Sequence, residues 1–149
     1  MDKSSFTYNI YIRTTPEELW SSLTTTDFMK QYWMGVSFEA DWKAGGDWKM
    51  VYPDGRVTDT GTILEFDPPR RLVLKWRNEF MPELHAEGYG TCTMEITQDG
   101  NVSMLSVVHS MDMPNSKLVT AVSGGWPKIL SNLKSLIETG EAIIHRKPG

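Results

Sequence analysis

The residue types that do acid–base, nucleophilic or metal chemistry are few in this chain and widely spaced. There are three histidines, His85, His109 and His145, and one cysteine, Cys92. A zinc hydrolase motif needs HExxH, a dithiol site needs CxxC, a serine hydrolase elbow needs GxSxG and a nucleotide cradle needs a P-loop; none occurs. Glu83-Leu84-His85-Ala86-Glu87 sets three polar ligands at alternate positions, which a strand would bring to one side for a metal ion. Alternation of this kind usually marks a solvated face, so neither a metal nor a cofactor is expected. Cys92 has no basic partner in its neighbourhood of sequence and reads as an inert core thiol. Glu65, Asp67 and the other acids are scattered, and nothing assembles a nucleophile, a base and oxyanion donors. No catalytic residue is assigned, and the chain reads as a binding protein rather than an enzyme.

Two polar groups nevertheless fall on faces that should be buried. Asp54-Gly55 and Asp99-Gly100 are hairpin-turn signals. With Asp99-Gly100 as a two-residue loop, Met94 faces Leu105, Cys92 faces Val107 and Gly90 faces His109. Ile96 and Ser103 share that side, while Thr91, Thr93, Glu95 and Thr97 take the solvent side. His109 is then either a satisfied core histidine or a polar anchor in a pocket. With Asp54-Gly55 as the second loop, Trp48 faces Gly61, Met50 faces Asp59 and Tyr52 faces Val57. That side is bulky and apolar apart from Asp59. A carboxylate there must reach water, find a donor or take up a proton. Three readings stay open for it: solvation at an open sheet end, displacement by a bulge, or a place facing a ligand.

The elements that hold these groups follow from pattern. Residues 6–13 are rich in β-branched and aromatic types and predict a strand. Thr15 as N-cap, Pro16 at the first helical position and Glu18 as the return partner predict a capped helix carrying Leu19, Trp20 and Leu23. Thr26-Asp27 opens a second short helix with Phe28, Met29, Tyr32 and Trp33. Strands are expected over 35–40, 46–52, 57–66, 71–77, 90–98 and 101–111, punctuated by Lys43-Ala44-Gly45-Gly46 and Asp67-Pro68-Pro69. Leu72, Leu74 and Trp76 should point inward, and 78–89 should form a longer acidic loop. Leu118, Val122, Ile129, Leu133 and Leu136 recur at helical spacing, Gly140 is a C-terminal cap, and Pro127 should kink or loosen that helix. The pattern predicts an α+β fold in which a curved antiparallel sheet wraps a long C-terminal helix.

Composition bounds the rest. The 149 residues carry 15 Lys and Arg against 19 Asp and Glu, a formal charge of −4 with no basic run, which excludes a nucleic-acid footprint. The apolar runs are too short for membrane insertion, and Met1-Asp2-Lys3-Ser4-Ser5 lacks the apolar stretch of a signal peptide. One cysteine fits the reducing cytoplasm. A single domain over 1–149 is expected, with its core at about 6–139 and a tail at 141–149. Six Trp and nine Met are many for this length. Trp20, Trp33, Trp48, Trp76 and Trp126 fall on elements that should surround one interior, and Trp42 lies near a turn.

Three stretches carry a resemblance. Ile12-Arg13-Thr14-Thr15-Pro16-Glu17-Glu18-Leu19-Trp20 resembles the opening of START/Bet v 1-like (SRPBCC) domains, as does Gly61-Thr62-Ile63-Leu64-Glu65-Phe66-Asp67-Pro68-Pro69-Arg70-Arg71-Leu72-Val73-Leu74-Lys75-Trp76. Gly125-Trp126-Pro127-Lys128-Ile129-Leu130-Ser131-Asn132-Leu133-Lys134, with His109, is similar to the branch related to the Hsp90 ATPase activator homologue (AHSA1-like). The resemblance spans about residues 6–139. It implies a helix-grip fold of six or seven strands with a cavity between sheet and helix. Its members bind lipids, sterols, polyketides or other apolar molecules, and some catalyse cyclisation. The eukaryotic activator also carries an N-terminal region not found in these 149 residues, so Hsp90 is not an expected partner.

The expected function is binding of a small apolar ligand. The expected lining is Trp33, Phe38, Trp48, Met50, Trp76, Val122 and Trp126, with Asp59 and His109 as polar anchors. The alternatives are a cyclase or hydrolase using Asp59 or His109, and a chaperone-associated interaction module. A homodimer fits any of these roles.

Overall fold

Thr15 starts the first helix, three residues after the first strand ends at Ile12. β1 runs Ser4–Ile12 and α1 Pro16–Thr24. The Thr15 hydroxyl accepts from the Glu18 amide at 3.2 Å, and Pro16 needs no partner for a missing N–H. Only half of the capping box forms, because the Glu18 carboxylate accepts from the Thr14 hydroxyl at 2.9 Å instead. α2, Thr26–Tyr32, follows directly. The computed structural model describes residues 3–145. Met1 and Asp2, from the N-terminal stretch read against a signal peptide, lie outside the described residues, as does the end of the expected tail at 146–149.

The strands β2 (Ser37–Ala40), β3 (Asp47–Val51), β4 (Val57–Asp67), β5 (Arg71–Asn78), β6 (Gly90–Asp99) and β7 (Val102–Met111) join β1 in one sheet. Its order is β1-β7-β6-β5-β4-β3-β2, and every pairing is antiparallel. The curved sheet wraps α4, Lys117–Thr139, which makes this the α+β helix-grip fold with two short helices after the first strand. Among the described residues, no helix is long and apolar enough to cross a membrane.

Two registers differ from expectation. Trp48 faces Gly61 and Met50 faces Asp59 as predicted, but a shift after Met50 sets Val51, not Tyr52, against Val57. The cause is a longer turn: the Tyr52 amide donates to the Arg56 carbonyl and the Gly55 amide to the Tyr52 carbonyl, both at 2.9 Å. In the β6–β7 hairpin Asp99 pairs with Val102, so Gly100-Asn101 is the loop. Gly100 takes a left-handed φ of 61°, the first-position glycine of a type II′ turn. Cys92 therefore faces His109, and Met94 faces Val107. The slip is two residues, so every side chain keeps its predicted face. Gly90 does not make room for His109. A Cβ there would lie 2.3 Å from the Met111 sulfur.

α4 is capped by the Ser116 hydroxyl, which accepts from the Val119 amide at 3.1 Å, and ends at left-handed Gly140. It continues through Pro127 without a break. Residues 141–145 are not a loose tail: buried Asn132 accepts from the Ile143 and Ile144 amides at 3.0 and 2.7 Å and donates to the Ile144 carbonyl at 2.8 Å. The stretch 78–89 is more than a loop, because it holds the short helix α3, Pro82–His85. Trp42 is not separate from the core either; it stacks on Phe38 at 5.5 Å.

Candidate functional site

A cleft of about 620 Å³ opens between the β3–β5 end of the sheet, the α3 segment and the first half of α4. Its size is that of a small-molecule site. Six of the nine expected lining residues come together there: Trp33, Met50, Asp59, Trp76, Val122 and Trp126. The other three do not line it. Phe38 and Trp48 stack behind Trp76, with ring centroids 4.8 Å apart and Trp48 4.6 Å from Trp76. The Trp48 N–H is taken by the Lys75 carbonyl at 3.0 Å, across the space that Gly61 leaves open. Deeper between sheet and helix, among Phe38, Leu72, Met94 and Leu130, only about 10 Å³ remains. The interior is thus packed along most of α4 and hollow at one end.

Tyr52, Phe80, Leu84 and Leu118, none of them expected in the lining, add further apolar wall. Leu118 was within reach, one helical turn before Val122. Phe80 and Leu84 sit in a stretch whose acids hid its apolar side. That stretch is held against α4 by Glu87, which accepts from the Ser116 hydroxyl at 2.6 Å and the Lys117 amide at 2.7 Å. Asn78 turns its start by accepting from the Phe80 and Met81 amides at 2.9 and 2.8 Å. Glu83, His85 and Glu87, which a strand would have brought to one side, are not gathered: Glu87 caps α4 and His85 lies 3.3 Å from Glu79. Among the described residues no cluster is placed to hold a metal ion.

Asp59 is the half-buried carboxylate of the cleft. Its Oδ2 accepts from the Trp76 indole at 2.8 Å and from Asn78 at 3.5 Å. Burial raises its pKa above the ordinary carboxylate value, and donors from Trp76, Thr58 and Asn78 offset part of that. His109 is fully buried; its Nδ1 accepts from the Trp126 indole at 3.2 Å, while Nε2 has no partner. Burial pulls its pKa down to about 4. The Nδ1 contact fixes the neutral tautomer with its proton on Nε2. Cys92 is buried and its thiol pKa is pushed up, which suits a core thiol. Chemically, one carboxylate faces the cleft, and the imidazole that would have to partner it is sealed behind Trp76, 5.0 Å from that ring.

A helix-grip sheet closed on its C-terminal helix, with an apolar cleft at one end of the grip, defines a START/Bet v 1-like protein. The family model described as Activator of Hsp90 ATPase homolog 1-like protein matches residues 13–138, and the chain belongs to that family. Solved structures share the fold. CalU16 from Micromonospora echinospora is 20% identical, with 91% of this chain and 77% of that one covered and a TM-score of 0.73. The Aha1 dimer from Colwellia psychrerythraea is 16% identical over 93% and 99% of the two chains, at 0.75. An Hsp90 activator from Plasmodium falciparum is 23% identical over 89% and 95%, also at 0.73. No curated protein matches the sequence.

Proposed function

We propose that this protein binds a small hydrophobic molecule in the cleft between its sheet and the first half of α4. The observation that carries the reading is a cleft of about 620 Å³ walled by Trp33, Trp76, Trp126 and Val122, with few polar groups. Phe38 and Trp48 serve as the rigid backing of that wall, and His109 holds Trp126 in place. A cyclase or hydrolase would need a second acid–base group beside Asp59; sealed His109 does not supply it, and the Asn78 amide at 3.5 Å cannot. Octanol is a suitable uncharged probe. Calorimetric titration is expected to show saturable binding, weakened by Val122→Trp, which fills part of the cleft. No binding, or equal binding by the filled variant, would overturn the reading.

Family membership brings a second reading, stimulation of an Hsp90 ATPase. An ATPase assay with and without this chain tests it directly. The setting we infer is the cytoplasm. Light scattering separates a monomer from the dimeric form of the Colwellia relative.

A further inference from the structure

Resting on the cleft reading, we infer that the ligand is a hydrophobic amine, with its apolar body against Leu118, Val122 and Ile129 and its ammonium group at Asp59. Among the described lining residues only two carry charge, Asp59 and Lys128. They differ in kind. Lys128 is exposed on α4 and its ammonium can stay in water. Asp59 sits half-buried against the indole wall. An ionised carboxylate accepts at about four positions, and Trp76 and Asn78 supply two donors, both on Oδ2. At least one position is left for a donor arriving in the cleft.

The carboxylate favours that donor being cationic. The indoles of Trp76 and Trp126 stand 65° apart with centroids at 6.0 Å, and those of Trp33 and Trp126 69° apart at 5.4 Å. Trp76 meets Asp59 by its N–H edge, so what the site offers an organic cation is the counter-ion itself, in a cleft with few other polar groups. A ligand carboxylate placed at Asp59 would meet like charge in a site of low polarity. An alcohol fills the donor position but gains no ion pair. Nearby Glu79 does not compete, since Arg77 and Thr60 hold its carboxylate at 2.6 and 2.8 Å.

Three probes with one hydrocarbon chain separate the possibilities: octylamine, octanol and octanoate, titrated at neutral pH. The expected order places octylamine about tenfold tighter than octanol, with octanoate weakest. In Asp59→Asn, octanol binding should persist, which also shows that the variant is folded, and the amine advantage should fall to about twofold or less. Octanoate binding best, or equal binding by all three, would overturn the inference and leave the cleft reading standing. An amine advantage surviving in Asp59→Asn would overturn it as well. If that variant does not fold, the ranking on the unaltered chain decides. Failure of all three probes would overturn the cleft reading and this inference with it.

Discussion

Burial and hydrogen bonding pull Asp59 in opposite directions, and burial is the larger. Its pKa is therefore higher in the folded chain than in the unfolded one. The folded state binds the extra proton between those two values, so ionised Asp59 takes away stability as pH rises through the folded value. Asp59→Asn should raise the unfolding free energy measured in urea at neutral pH by up to about 1 kcal/mol, the scale of one desolvated polar group. The gain should shrink on acidification; a loss of stability at neutral pH would contradict the assignment. His109 has the opposite sign. Its pKa falls from 6.5 to about 4, so the unfolded chain takes the proton first. Stability should be complete above pH 6.5 and decline toward pH 4 by about 3 kcal/mol in all. His109→Gln can still accept from Trp126 but cannot titrate, and urea titrations across that window should show the decline flattened. Both residues were visible from hairpin pairing. What pairing does not carry is the donor: Trp76 reaches Asp59 and Trp126 reaches His109 from 17 residues away in each case.

At the level of elements, two glycine sites with similar sequence signals have opposite physical roles. Gly61 lies under Trp48, and a Cβ there would sit 1.6 Å from the Lys75 carbonyl oxygen. That contact is backbone and cannot rotate away. Gly61→Ala should cost about 3 kcal/mol or more in chemical denaturation, by forcing β4 from β5. Gly125 lies in the middle of α4, where a Cβ would meet nothing within 4 Å. Gly125→Ala should stabilise by about 0.5–1 kcal/mol through the unfolded chain, with the cleft slightly narrowed. A destabilising Gly125→Ala would mean that the helix needs glycine there. The hairpin pairing made Gly61 legible, and the sheet and α4 were legible for the same reason: alternation and helical spacing are local signals. The turns were less so. A bulge after Met50 and a loop at Gly100-Asn101 depend on which of several glycine-containing turns closes best, and one residue decides the register. The α3 segment was hidden because its order comes from partners elsewhere, Asn78 and the start of α4.

Across the whole molecule, the order of elements and the grip of sheet on helix were readable, but not where packing stops. The tryptophans serve both ends: Trp48 is core, and Trp33 and Trp126 are core and cleft wall at once. Volume left unfilled is a sum over many side chains and has no sequence signature of its own. It does leave a mechanical one. Past Pro127, α4 buries Ile129, Leu130, Asn132, Leu133 and Leu136 against the packed interior. Before Pro127 it carries adjacent glycines at 124 and 125, with Gly125 on the cleft. Pro127 cannot supply the amide hydrogen bond that would tie the two halves. Fewer apolar contacts and two glycines lower the cost of local opening. Amide hydrogen exchange should therefore be faster over 120–126 than over 129–138, with β5, β6 and β7 slowest of all. Octanol at saturation should slow exchange in 120–126 and in the α3 segment while leaving the second half of α4 unchanged. Uniform protection along α4 in the free protein would show that the hollow end is as firmly held as the packed one.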